Sequence, residues 1–271
     1  MRSLVLEARP VYNLPYLNAA RAGGTEVVPL PFIAATAQGL PRDVDAVVVA
    51  SDLQGRELIA STDAPGRLLA LAVADTLLER ASMLGLSSPS RTGVVLAGDL
   101  YAREAGRGGA GEILPVLTEF ARTFAWVIAV GGNHDLIGSW PIPASTLASV
   151  RAIRGLHFLD GEIVQLGGVR FGGVSGVVGD PTKTFRRFDH EQAAAASLLL
   201  ESGIDVLVVH QGPHVDGVAR KSSPTLRALL DRRPVPLCIC GHDPWPTPLV
   251  ELPGEMQVLN VDHRVVIIRA R

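Results

Sequence analysis

Apolar residues fall into short unbroken runs, each closed by glycine or a polar side chain and most followed by a stretch with helical spacing. VDAVVVASDLQG (44–55) precedes an Ala/Leu-rich segment at 66–83. TGVVLAGDLYAR (92–103) precedes one at 111–123, and AWVIAVGGNHDL (125–136) precedes one at 143–153. IDVLVVHQGPH (204–214) and VPLCICGHD (235–243) close the series. Successive side chains of a strand point to opposite faces, so a continuous apolar run marks a strand buried on both. Buried strands separated by helices predict a layered α/β sheet.

Two stretches place apolar runs side by side without a helix between them. LHFLDGEIVQLGGVRFGGVSG (156–176) reads as hairpins turning at Asp160-Gly161 and Gly167-Gly168. MQVLNVDHRVVIIRA (256–270) reads as another, turning near Asp262-His263. They predict a second, more antiparallel sheet packed on the first. Residues 44–271 form the expected domain. Residues 1–43, with two short strand candidates and NLPYLNAARAG, read as an N-terminal extension that packs on it, adding to an edge or covering the site.

Composition narrows the picture. At 271 residues, 47% hydrophobic and 19% charged, the chain has enough apolar surface to bury a core, which excludes disorder. A net charge of −2 offers no clear nucleic-acid surface and no pull toward an anionic membrane, since phosphate-rich partners need a basic excess. No stretch approaches a membrane span. The opening MRSLVLEARP has Glu7 and Arg9 interrupting a short apolar run, unlike a signal peptide. Cys238 and Cys240 share one face of one strand, which is no disulfide framework, and the single histidine after them makes no zinc finger. A soluble, cytoplasmic protein is expected.

Five of the buried strands end in residues able to hold a metal: Asp52, Asp99, Asn133 with His134, His210, and His242. In open α/β sheets ligands bind beyond the carboxyl ends of strands, so residues far apart in sequence can converge there. Singly, each has a plain reading: an aspartate caps a helix, and a histidine is a hydrogen-bonded core residue. Five at equivalent strand ends predict a site.

The order and spelling of SDLQG, GDLYAR, GGNHD, VVHQGPH and GHDPW resemble the five signature blocks of the calcineurin-like metallophosphoesterases: D-x-H, G-D, G-N-H-[DE], a lone His after a strand, and G-H-x-H. The resemblance covers residues 44–268. It implies a four-layer αββα sandwich with two mixed β-sheets and a two-metal site between their loops. By position it makes Asp99 the bridging ligand, with Asn133, His210 and His242 completing the second metal and Asp52 holding the first. It makes His134 the general acid beside the substrate, Arg103 a phosphate contact, and Asp135 a candidate to orient His134, because Ala102 stands where related phosphatases carry the orienting Asp. Two metals of this kind activate a water and stabilise charge on both the attacking and the leaving oxygen.

The chain departs from the pattern twice, both times at the first metal. Gln54 stands where the family has His, and Pro244 where the second His of G-H-x-H belongs. Gln54 still offers an amide oxygen, a harder and weaker ligand. Tyr101 is one place off the slot that purple acid phosphatases fill with a metal-binding Tyr. The implied cofactors are therefore divalent ions (Mn, Fe, Zn or Mg), one tight and a second weaker, with His214 and Asp243 nearest in sequence to replace the lost ligand. The implied activity is hydrolysis of a small phosphorylated substrate, phosphodiesters favoured. The alternative is a phosphoesterase fold reused as a non-catalytic binding scaffold with a degraded first metal site. Lys183, Arg186 and Arg187 make either a substrate clamp or a solvated loop, and Trp245 packs under the metal loop or stacks on a base. His157, His190 and His263 fit hairpin or helix-start patterns and carry no functional reading.

Overall fold

A computed structural model describes residues 1–59, 66–104, 106–218 and 220–271. The chain opens with β1 (Arg2–Leu6), β2 (Tyr12–Ala19) and β3 (Thr25–Gln38). Three strand-helix units follow. The first has β4 (Ala46–Ser51), β5 (Arg56–Glu57) and α1 (Leu69–Glu79); the second has β6 (Thr92–Leu96), β7 (Gly111–Glu112) and α2 (Leu114–Thr123). The third has β8 (Trp126–Ala129), β9 (Asp135–Leu136) and α3 (Ala144–Arg151). Then come β10 (Leu156–Phe158), β11 (Glu162–Leu166), β12 (Val169–Val174), β13 (Val177–Val178), β14 (Arg186–Arg187) and α4 (Asp189–Glu201). The series closes with β15 (Val206–Gln211), α5 (Pro224–Arg232), β16 (Leu237–Gly241), β17 (Leu249–Leu252), β18 (Met256–Asn260) and β19 (Arg264–Ala270).

Two mixed sheets form the middle of a four-layer αββα sandwich. The first runs β10-β8-β6-β4-β19-β3-β2-β5, with β1 beside β3; the second runs β11-β12-β15-β16-β18-β17. The apolar runs serve both faces, as their lack of alternation requires. In β4, Ala46, Val48 and Ala50 face the outer helices, packing with Leu69, Val73, Val116 and Phe120. Val47 and Val49 face the other way, toward Val206, Val208 and Ile239 of the second sheet. Trp126 meets Phe171 across this inner layer, ring centroids 5.8 Å apart. Helices α4 and α5 cover the far face of the second sheet through Leu199, Leu200, Leu226 and Leu230. The start of α5 is written locally: Ser223 accepts from Leu226 N at 3.0 Å, and Pro224 occupies the first turn, where a missing N–H costs nothing.

The structure differs from the pattern reading in two turns. Of the three turns read from the pattern, Gly167-Gly168 alone closes a hairpin, β11 with β12. Asp160-Gly161 instead carries the chain from β10, paired with β8 in the first sheet, to β11 in the second. Asp262-His263 likewise leads from β18 in the second sheet to β19 in the first. Adjacent apolar runs look alike whether they pair or part, because periodicity reports burial and not partner. The second sheet is antiparallel only at its edges; β12, β15, β16 and β18 are parallel. Residues 1–43 enter the first sheet itself. β3 pairs with β19 in parallel and with β2 in antiparallel, burying Leu30 and Phe32 in the outer core.

Candidate metal centre

The parallel strands β4, β6 and β8 of the first sheet, and β15 and β16 of the second, bring their carboxyl ends to one edge of the sandwich. Asp52 follows β4, Asp99 lies beyond β6, Asn133 and His134 lie beyond β8, His210 is the penultimate residue of β15, and His242 follows β16. Close approach of these loops depends on glycines without a side chain. A Cβ on Gly132 would lie 2.1 Å from Asp99 Oδ1, and one on Gly241 would lie 2.3 Å from Asp52 Oδ2. Asp52, Asp99 and His242 have φ of 55°, 55° and 69°, a left-handed backbone that non-glycine residues adopt only where the surroundings enforce it.

Asp99, His210 and His242 offer ligand atoms that all lie within 4.8 Å of one another. His210 is fully buried, and its Nδ1 lies 2.7 Å from the Ala97 carbonyl, an acceptor, so that nitrogen carries the proton. Its Nε2 then presents a lone pair to Asp99 Oδ2 at 3.3 Å. Two acceptors facing each other out of water call for a cation between them. Asn133 Oδ1 and His210 Nε2 are both buried without a hydrogen-bond partner, which costs stability unless something binds them. Mixed carboxylate, amide and imidazole donors fit a divalent transition ion.

The electrostatics say the same. Burial disfavours charge on His210, but the facing Asp99 carboxylate prevails and pushes its pKa up to about 10. Burial likewise works against charge on Asp99, yet His210 opposite and the His134 contacts bring it down to about 2. A proton thus fills the place of a metal. His242, lowered to about 3 by burial and by the neighbouring charge of His210, keeps a neutral ring with a free lone pair.

The sequence matches the calcineurin-like phosphoesterase family model over residues 45–246. The chain belongs to that family. No curated protein matches it in sequence. Among solved structures it is similar to the TT1561 protein of Thermus thermophilus, with a TM-score of 0.56 at 14% identity over 81% of this chain and 90% of that one. It is also similar to a phosphopantetheinyl hydrolase from Mycobacterium tuberculosis, with a TM-score of 0.47 at 17% identity over 82% and 90%. The first of these likenesses shows the fold alone. The calcineurin-like phosphoesterases use divalent metals to hydrolyse phosphoesters.

In this calcineurin-like phosphoesterase the first-metal side is not assembled as the pattern implies. Asp52 Oδ2 accepts from His242 N at 2.8 Å and from Ser51 Oγ at 2.6 Å, and Asp52 stands outside the Asp99 trio. Burial and the neighbouring Asp262 raise its pKa to about 8. Gln54 turns its amide nitrogen, not its oxygen, to Asp99, the carboxylate that the family pattern makes the bridge: Nε2 donates to Asp99 Oδ2 at 2.8 Å. A neutral donor therefore sits where a first-metal ligand is expected. Neither substitute fills the gap. His214 turns to Ser222 Oγ at 3.0 Å and Asp216 Oδ1 at 3.2 Å, while Asp243 accepts from the backbone N–H groups of Arg220 and Lys221.

His134, partly exposed, lines a cavity of about 850 Å³ together with Asp99, His242 and Arg103. Its Nδ1 lies 2.5 Å from the Gly109 carbonyl, which orients the ring. Asp135 does not orient it. That carboxylate is fully buried and accepts four backbone N–H groups: Asp99 and Gly132 at 2.8 Å, Leu100 at 2.7 Å and Tyr101 at 3.2 Å. It ties the β6 and β8 loops together. Lys183, Arg186 and Arg187 lie outside the cavity lining, and Arg187 pairs with Asp160 at 2.9 Å. Trp245 is buried at 2% exposure and packs under the metal loop.

Sequence reasoning missed several residues around the cavity. Leu17, Asn18 and Arg21 reach it from the β2–β3 hairpin, and Asp262 with His263 from the crossover into β19. For the last pair a signal existed. MQVLNVDH obeys the same grammar as the other motif strands, an apolar run ending in polar side chains, but the apolar run after it made it look like a turn.

Proposed function

We propose that this protein hydrolyses a small phosphoester, with diesters favoured, at a divalent metal held chiefly by Asp99, Asn133, His210 and His242. The observation that carries the reading is the buried lone-pair cluster of Asp99 Oδ2 and His210 Nε2, opening on the cavity that His134 lines. Bound there, a divalent ion would supply Lewis-acid stabilisation of the charge that develops on the phosphoryl oxygens. His134 gives a proton to the leaving oxygen as the ester P–O bond breaks. Arg103, exposed at the rim, attracts the phosphate with a planar fork of donors. Room for a diester's second substituent comes from the apolar wall of Leu17, Leu58 and Ile59.

The Gln54–Asp99 hydrogen bond favours a second reading, a binding scaffold whose first metal site has closed. Metal analysis of protein purified without chelator, with assays on bis(4-nitrophenyl) phosphate and 4-nitrophenyl phosphate, separates the two. The enzyme retains a divalent ion and turns over the diester faster. Absence of both metal and turnover would leave the scaffold.

A further inference from the structure

The crossover between β18 and β19 carries an Asp–His pair with no counterpart in the family's five blocks. Asp262 is buried at 1% exposure, bridges in the backbone to Ser51, and accepts a hydrogen bond from His263 Nδ1. With that nitrogen committed, Nε2 is the one left for a ligand. Both residues line the same cavity as Gln54, His134 and His242.

A second observation assigns His263 to the site. Among the described residues, seven other than glycine have a left-handed backbone. Three of them are Asp52, Asp99 and His242; His263, at φ 50°, is a fourth that lines the cavity. Conformations of this kind gather where a side chain must be aimed.

The third observation is topological. The sheet order β8-β6-β4-β19 sets His134, Asp99, Asp52 and His263 in line along one edge. β19 runs antiparallel to β4, with Arg264 opposite Ser51, so the residue before β19 lies level with the residue after β4. His134, in the loop after β8, and His263, just before β19, therefore stand on opposite flanks of Asp99, which follows β6. Groups on opposite flanks suit in-line displacement, in which the nucleophile enters opposite the leaving group.

We propose that His263, oriented by Asp262, is a catalytic residue of the phosphoester hydrolysis described above, on which this inference rests. Its Nε2 takes a proton from the attacking water as the water oxygen bonds to phosphorus. The electron pair of the breaking P–O bond leaves with the departing oxygen, which receives the proton of His134; solvent then resets both rings. The base-and-orienter arrangement is the usual means of activating a weak nucleophile. It serves here because Pro244 provides no ligand and Gln54 binds Asp99 Oδ2, which deprives the first-metal side of its ordinary share in activating water.

The test compares wild type, His263→Asn and His263→Gly, two replacements that tolerate a left-handed backbone, on bis(4-nitrophenyl) phosphate and diphenyl phosphate with added manganese. Expected for His263→Asn is a loss in kcat of about a hundredfold, equal on both substrates, with bound manganese unchanged. Expected for His263→Gly is partial recovery on adding imidazole. The proposal is overturned by an unchanged kcat, by loss of manganese in step with activity, or by a greater loss on diphenyl phosphate, which would mark an acid. A wild type that hydrolyses neither substrate removes the phosphoesterase reading and this one together; an unaffected variant of an active wild type removes this one alone.

Discussion

His210 Nε2 stands 3.3 Å from Asp99 Oδ2, and neither side chain is open to water. Without metal the two share a proton and a charge attraction. With metal they share the ion. In the metal-free protein the two groups make stability depend on pH with opposite signs. His210, raised from 6.5 to about 10, adds stability that is complete below pH 6.5 and vanishes as pH climbs through 10. Asp99, lowered from 3.8 to about 2, adds stability above pH 3.8 that is lost as pH falls through 2. Chelator-treated protein should therefore melt at progressively lower temperature between pH 6.5 and 10. Metal competes with the His210 proton, so its affinity rises over that range and the gap between loaded and stripped melting temperatures widens. Parallel curves for the two forms would show that no metal binds this pair.

His134 meets the Gly109 carbonyl through Nδ1 and is not in the metal-binding trio. Replacing it with Ala should leave metal content unchanged and lower turnover by about a hundredfold or more on diphenyl phosphate. The loss should be much smaller on the nitrophenyl diester, whose leaving group needs little protonation. Equal losses on both substrates would contradict the acid role.

Gln54 donates to Asp99 and Pro244 offers no ligand atom, so the isolated protein should hold about one tightly bound ion per chain. Restoring both histidines (Gln54→His with Pro244→His) should add a second ion measurable by metal analysis, while Gln54→His alone adds less. Retention of the first ion is the control, since replacing a proline frees the backbone beside His242. Two equally tight ions in the unaltered protein would refute the weakened first site.

Asp135 accepts four backbone N–H groups from two loops. Asp135→Ala strands those donors in the interior, and we expect a loss of about 3 kcal/mol or more in denaturant unfolding. Metal should be lost with it, because the loops holding Asp99 and Asn133 come apart. Unaltered stability with reduced turnover would return Asp135 to the role of orienting His134.

The β2–β3 hairpin and β1 build the first sheet from β19 outward. A chain beginning at residue 44 would expose the ladder edge of β19 and uncover the core around Leu30 and Phe32. It should be recovered insoluble or unfolded by circular dichroism. A soluble, folded product would show that residues 1–43 are an appendage.

The sequence made most of the architecture legible because buried strands declare themselves by unbroken apolar runs, as in VVVAS and VVLAG. The strand ends at Asp99, His210 and His242 were legible for the same reason: each follows such a run directly. What escaped depends on which strands pair. Asp262 and His263 lie between two apolar runs, and local pattern cannot tell a tight hairpin from a step between sheets. Asp135 escaped differently. Its neighbour His134 suggested a side-chain partner, whereas its partners are backbone N–H groups that any sequence possesses.

The place of β19 also bears on how the chain folds. β3 and β4 are neighbours in sequence but not in the sheet; residues 264–270 lie between them and pair with both. During synthesis β4, β6 and β8 can associate as soon as they emerge, but they cannot join the N-terminal hairpin until that late strand arrives. Contacts of such sequence separation close slowly, and the waiting edges of β3 and β4 are open to wrong partners meanwhile. The same late step carries His263 into place beside Asp52, so the cavity wall and the joined sheet mature together.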